Sequence, residues 1–348
     1  MKPPDHFSDC GIRSELIHMK TRDIYFDNLK AILILLVVLG HFANLNISDL
    51  YLGALNNVIY TFHMPLFVFV AGYFSKKIKS HRTDEIENLI YPYLVFQLLN
   101  YLFKEITGLG RGSINIFIPA YQNWFLIGLF IWRLLIPYYN LFNRNYLILA
   151  TLILSIANIF FNDGNTFLKL DRVFYFFPMF ILGYFCADLH HLMNKLSKYR
   201  YVFIGISLAG LLTVFVVSII QGDTLSDQVY NEFTPSDSGI SAMRMLVLLG
   251  GFFGSLVISF GLLYLIPRNK LMITYWGENT MNIFLAHMFF VFPLQHFLKD
   301  LPSNLLFPIS LLSSVLTCIL ISTRFFSSIL DPLTKFNQLV LRVNRKRN

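Results

Sequence analysis

Ten long stretches nearly free of charge follow one another along this chain, at about residues 24–44, 51–74, 86–104, 123–142, 145–161, 172–188, 201–220, 244–266, 279–298 and 304–326. A helix needs about 20 apolar residues to cross the hydrocarbon core of a bilayer. The stretches therefore predict an all-α integral membrane protein with about ten transmembrane helices. Their apolarity is continuous rather than alternating, which argues against a β-barrel. Only 14% of the 348 residues are charged and 55% are hydrophobic, whereas a soluble domain carries about 25% charged residues. A soluble globule of this size cannot hide that much apolar surface, and a disordered chain needs the opposite composition.

Charge selects the count and the orientation. The fifth and sixth stretches are short and interrupted by Asn, so length alone also admits nine or eleven spans. With ten spans and a cytoplasmic N-terminus, the inside segments hold 19 Lys and Arg and the outside segments 6. Cytoplasmic loops carry such an excess, and an odd number of spans would scramble it. Both termini are then cytoplasmic. Residues 1–22 form a polar tail, 23–327 the ten-span membrane domain and 328–348 a basic tail. The net charge of +8 does not signal nucleic acid, because the basic residues lie in short clusters between apolar stretches. The first stretch reads as a span rather than a signal peptide, because a polar tail precedes it and no small-residue cleavage site follows. Cys10, Cys186 and Cys318 are far apart and have neither disulfide nor metal spacing. The outer loops near 105–122 and 221–243 are too short to be catalytic domains, so any chemistry belongs to the bundle.

Ionisable groups in mid-membrane are costly, and each is a site candidate. In the first span, Lys30 and His41 are 11 residues apart. On a helix that spacing returns to within about 20° of the same face, displaced by roughly 16 Å along the axis. Asp27 precedes Lys30 by one turn and shares the face; the plainer reading of the two is an ion pair at the inner boundary. His63 in the second span is either a site residue or a partner for the backbone that Pro65 loosens. Gly72 reads as a close-packing position. His287 in the ninth span is either a site residue or a helix-packing contact. Trp124 sits at the outer end of the fourth span, where an aromatic anchor is the commoner reading. Asp171 and Arg172 open the sixth span at its outer mouth, where a surface ion pair is the plainer reading. Arg133 and Arg324 lie in apolar stretches and must be paired or face a cavity.

The segments RDIYFDNLKAILILLVVLGHF, FHMPLFVFVAGYFSKK, YPYLVFQLL, NWFLIGLFIWRLL and DRVFYFFPMFILGY occur in that order. Together they resemble the acyltransferase-3 family of bacterial membrane acyltransferases, most closely its fucose 4-O-acetylase-like branch, over about residues 22 to 300. The resemblance implies transfer of an acyl group, usually acetyl, from cytoplasmic acetyl-CoA to a sugar hydroxyl of a glycan or lipid-linked precursor. It implies a bacterial cytoplasmic-membrane location, acyl-CoA as co-substrate and no tightly bound cofactor or metal. Relatives carry a basic residue and a histidine in the first span at the spacing of Lys30 and His41, and the histidine is regarded as catalytic. Lys30 stands where many relatives have Arg, and a lysine cannot make the bidentate phosphate contact of a guanidinium. Many relatives also carry a paired-arginine motif before the third span. Here that stretch reads HRTDEIENLIYPY, which keeps Arg82 but places Glu85, Glu87 and Asn88 after it.

These readings combine into one expectation. The CoA end of the donor is held near Asp27, Lys30, Lys76, Lys77 and Arg82, with Lys79 on the same side. The thioester reaches along the first span to His41, the general base, with His63 orienting it or stabilising the oxyanion. The acceptor enters from outside at Trp124, Asp171 and Arg172, with His287 beside it. A glycan exporter or flippase without transfer activity is the other class, with His63, Arg133 and Arg324 lining its path.

Overall fold

The computed structural model describes residues 22–46, 48–76, 85–108, 115–161, 167–221, 242–298 and 301–335. Every regular element among these residues is helical. In chain order they are α1 (Ile24–Leu45), α2 (Leu50–Ser75), α3 (Tyr91–Thr107), α4 (Trp124–Leu134), the short α5 (Ile136–Tyr139), α6 (Arg144–Phe161), α7 (Leu170–Phe185), α8 (Leu189–Lys195), α9 (Arg200–Gln221), α10 (Ala242–Leu263), α11 (Thr274–Glu278), α12 (Thr280–Ala286), α13 (Met288–Leu298), α14 (Ser303–Ser322) and α15 (Arg324–Thr334). A π-helical turn, Ile86–Ile90, leads into α3, and a 3₁₀ turn, Tyr121–Asn123, leads into α4.

Each of the ten apolar stretches is helical over most of its length. Four helices are long and apolar enough to cross a bilayer alone: α1, α2, α9 with the turn before it, and α14. The bent pairs α7–α8, with an angle of 82°, and α12–α13, with 49°, raise the number to six. The stretch at 279–298 is thus two helices meeting at His287 rather than one rod. The stretch at 304–326 also stops early. α14 ends at Ser322, and Thr323 caps α15 with a side-chain bond to the Phe326 N–H. Arg324 therefore lies beyond the apolar helix, exposed, and needs no buried partner.

α1 is the axis of the fold. Its apolar segment is 72% buried, against 11% for that of α9. Leu29, Leu33, Ile34, Val38 and Phe42 are sealed from solvent, and α2, α11, α13 and α14 pack around them. In a membrane-spanning bundle the outward apolar faces, such as Val202, Leu208, Leu212 and Val216 of α9, are those that face lipid. Side-chain caps set the helix starts. Asp23, Asp49 and Asp188 each accept from backbone N–H groups at the heads of α1, α2 and α8.

α2 and α7 are in backbone contact. A Cβ on Gly72 would lie 2.1 Å from the Phe180 carbonyl oxygen, and one on Gly183 would lie 2.0 Å from that of Phe69. The close packing read for Gly72 from sequence is thus reciprocal, and Gly183 is its other half. Gly183→Ala should force the helices apart and cost about 1–3 kcal/mol, seen as a lower unfolding temperature in detergent. Gly250→Ala, at a site with nothing within 4 Å of the new Cβ, should leave it nearly unchanged. Equal stability of the two variants would disprove the contact.

Candidate functional site

One end of the site begins at the head of α1. Asp27 accepts from both arms of Arg22, at 3.1 and 3.2 Å, and pairs with Lys30 Nζ at 2.7 Å. The ion pair read from sequence is present, and Arg22, which the sequence reading passed over, completes it. The carboxylate is buried while both cations reach solvent, with side chains 24% (Lys30) and 56% (Arg22) exposed. Two contacts lock this end to α11. Asn28 donates to the Pro267 and Asn269 carbonyls, each at 2.8 Å, and accepts from Thr274 Oγ1 at 2.6 Å. A Cβ on Gly277 would sit 1.8 Å from the Asp27 carbonyl oxygen, so only glycine fits that crossing. Lys76 donates to the Cys186 and Ala187 carbonyls and lies 3.7 Å over the Tyr73 ring. Lys77 and Arg82 lie outside the described residues. Arg133 is paired inside the bundle, with Glu85 at 3.1 Å and Ser75 Oγ at 3.1 Å.

Further along α1, His41 meets His287, with ring centroids 5.0 Å apart. No sequence spacing joins these two residues; the packing of α12 and α13 on α1 does. His287, His63 and Arg172 are the groups near enough to interact electrostatically with His41. His63 is buried, and its Nδ1 bonds the Ile59 carbonyl of its own helix at 2.7 Å rather than crossing the bundle. Its ring packs edge-on against Tyr60 at 4.7 Å, and Tyr60 in turn lies against the turn of α1 at Gly40.

The opposite end is an aromatic and cationic platform. Trp124 is 4% exposed, so it is a core residue rather than an interfacial anchor. It stacks on Phe176 at 5.5 Å, and the Arg172 guanidinium lies 5.7 Å from its ring centroid. Asp171 and Arg172 form no ion pair with each other; Asp171 Oδ1 and Arg172 Nε are buried without a hydrogen-bond partner. Among the described residues, the three non-glycine positions with left-handed backbone are Tyr121, Leu168 and Lys169. All lie in the two loops that lead into this platform. Such strain tends to gather at functional sites.

Three amides that the sequence reading missed complete the site. Gln97 Nε2 donates to the Asn115 and Ile118 carbonyls at 2.9 and 2.7 Å, and its Oε1 accepts from the Ala120 N–H at 2.9 Å. Those backbone partners fix which end of Gln97 is oxygen. Asn123 must then offer its NH₂ to that oxygen, at 3.3 Å, which leaves its own Oδ1 as a buried acceptor without a partner. Gln122 reaches the Leu285 carbonyl at 3.4 Å, and its Oε1 is likewise unmatched. Asn and Gln in an apolar stretch carry no sequence sign of function; only their unmatched atoms distinguish them. Among the described residues no group of three His, Cys, Asp or Glu could hold a metal ion.

A family model described as an acyltransferase domain matches residues 23–323. Two curated proteins, each named nodulation protein NolL, are similar to the chain. The one from Sinorhizobium fredii is 28% identical over 220 residues, 57% of this chain and 57% of its own length. The one from Mesorhizobium japonicum is 25% identical over 248 residues, 66% of this chain and 64% of its own length. The chain thus matches less than two thirds of each relative. No solved structure matches it. Gln97→Leu should leave the Asn115, Ile118 and Ala120 backbone groups unpaired at about 1–3 kcal/mol each. Thermal unfolding in detergent should show a marked loss; wild-type stability would mean that the loop holds without the clamp.

Proposed function

We propose a reaction from one premise: this chain belongs to the acyltransferase-3 family, whose model covers nearly all of its helices. It moves an acetyl or other short acyl group from cytoplasmic acyl-CoA to a sugar hydroxyl of a cell-surface glycan or a lipid-linked precursor. Ten crossings with both termini in the cytoplasm, in a bacterial cytoplasmic membrane, give donor and acceptor opposite entrances. The 19 to 6 excess of basic residues on one side supports that orientation.

One observation carries the reading. A histidine pair with ring centroids 5.0 Å apart lies inside the bundle. Lys30 of the Arg22–Asp27–Lys30 cluster stands about three turns before His41 on α1, and the Trp124–Arg172 platform supplies the other end of the proposed path. The donor's phosphates pair with Arg22, Lys30, Lys76, Lys77 and Arg82, and the pantetheine arm carries the thioester inward. A sugar stacks on Trp124 and gives its hydroxyl protons to Asn123 Oδ1, Gln122 Oε1 and Asp171 Oδ1. Unmatched acceptors of this kind suit a donor-rich polyol.

His41 is the general base. The sugar oxygen attacks the thioester carbonyl, a C–O bond forms, the C–S bond breaks, and the hydroxyl proton passes to His41. The departing thiolate takes that proton and leaves as free CoA. Arg172 and His63 stabilise the oxyanion.

In nanodiscs with radiolabelled acetyl-CoA, wild-type protein should bind donor saturably and release free thiol. His41→Ala should keep donor binding and lose about 10²–10⁴-fold in turnover. Folded His41→Ala protein with wild-type transfer would remove His41 from the chemistry. Wild-type protein that neither binds nor turns over acetyl-CoA would favour a glycan exporter.

A further inference from the structure

His287 has a fixed tautomer. Its Nδ1 lies 3.0 Å from the Ile283 carbonyl oxygen, and a carbonyl only accepts, so Nδ1 carries the proton. Its Nε2 is then a lone-pair acceptor whenever the ring is neutral. That atom is buried and has no hydrogen-bond partner, in a residue with 0% exposure. The ring opposite is His41, with centroids 5.0 Å apart and planes inclined by 36°. Two imidazoles joined by an N–H···N bond of ordinary length have centroids about 5 Å apart. The two rings are therefore at the separation that an N–H···N bond from His41 to His287 Nε2 requires. His63 is the competing partner. Its Nδ1 is committed in the same way to Ile59, but its ring contact is with Tyr60 rather than His41.

We propose that His287 is the positioning residue for His41: its Nε2 accepts the His41 N–H and so fixes the His41 tautomer. The inference rests on the reading of His41 as base. It assigns His287 to proton handling rather than to holding the acceptor sugar. The other nitrogen of His41 is left with its lone pair towards the hydroxyl. When that nitrogen takes the hydroxyl proton, the imidazolium shares its second N–H with His287. The thiolate then recovers the proton, and His287 gains none over the cycle. A base oriented by a third group is the recurrent arrangement in nucleophile activation. The charged and titratable groups facing His41 are His287 itself, His63 on α2 and Arg172 on α7, so His63→Gln serves as the control.

The test needs no acceptor in its first arm. Full-length protein labelled with ¹⁵N-histidine, in liposomes without ligand, is measured by solid-state NMR, with His41 assigned from the spectrum of His41→Asn. A hydrogen-bonded His41 N–H is expected in wild type and in His63→Gln, and its loss in His287→Met. A wild-type spectrum without that signal overturns the proposal, whatever the variants do. The second arm complements a deletion strain of the source organism and measures ester-linked acyl groups on its surface glycan. His287→Met should fall on the order of 10–10²-fold, less than loss of the base itself. His287→Gln, whose amide oxygen can accept the same bond, should recover part of that loss. His287→Met at wild-type level, with His41→Ala inactive, overturns the role of His287 alone. Wild-type complementation with no acyl ester overturns the acyltransferase reading, and the NMR signal then stands only as a contact between two histidines.

Discussion

A polar side chain inside a lipid-surrounded bundle has no water to fall back on, so its hydrogen bonds come from the chain or not at all. This constraint sorts the buried polar residues into two sets. Arg133 with Glu85 and Ser75, Asn28 with the 267–274 segment, and Gln97 with the 115–120 segment are matched group for group. These residues hold helices and loops together. The second set has atoms left over: His287 Nε2, Gln122 Oε1, Asn123 Oδ1, Asp171 Oδ1 and Arg172 Nε, and on other helices Asn57 Oδ1 and the hydroxyls of Ser259, Ser310 and Ser322. Its first five members lie on His287, the ring neighbour of His41, and on the segments that carry Trp124 and Arg172. The atoms beside His41 and Trp124 differ from the scattered ones in lying together with titratable groups, which suits a molecule that is not part of the chain.

The position of the open set depends on helices that are anything but straight. The aromatic platform needs Trp124 and Arg172 together, and the left-handed residues Tyr121, Leu168 and Lys169 aim the two loops that deliver them. α7 can carry Arg172 there because its other end is pressed onto α2 through Gly72 and Gly183. At the head of α1, Gly277 lets α11 touch the α1 backbone at Asp27, and Asn28 ties the adjoining segment down. Each rigid crossing fixes a helix of the site: α7 carries Asp171 and Arg172, and α1 carries His41.

Much of this was legible in the sequence, because hydrophobic length and mid-membrane charge are local signals. The apolar stretches became helices, Lys30 and Asp27 became an ion pair, and Gly72 became a backbone contact. What failed were inferences from position within a stretch. Trp124 looked like an interfacial anchor, yet Phe176 and Arg172 enclose it. Arg324 looked buried, yet a Thr cap ends the apolar helix one residue earlier. Gln97, Gln122 and Asn123 were silent because an amide's role depends on which of its atoms remain unpaired. Arg22 was passed over because its partner lies five residues on, around the start of a helix whose cap the sequence does not advertise.

The least legible feature was the most consequential one. The ninth stretch reads as a continuous span, yet it bends by 49° between Ala286 and Met288. At that break the Ile283 carbonyl accepts from both the backbone and the ring of His287. A side chain that bonds the preceding turn of its own helix competes with the regular ladder and tends to bend it. The bond that accompanies the bend is also the bond that sets the ring's tautomer. His63 makes the same contact with Ile59 two residues before Pro65. Two histidines thus present one defined nitrogen each to the interior, and each does so without a carboxylate partner, which would bring a further charge into the membrane. His41 has no such tie to its own helix. Its orientation is left to what lies across the helix interface, where the His287 ring is its neighbour.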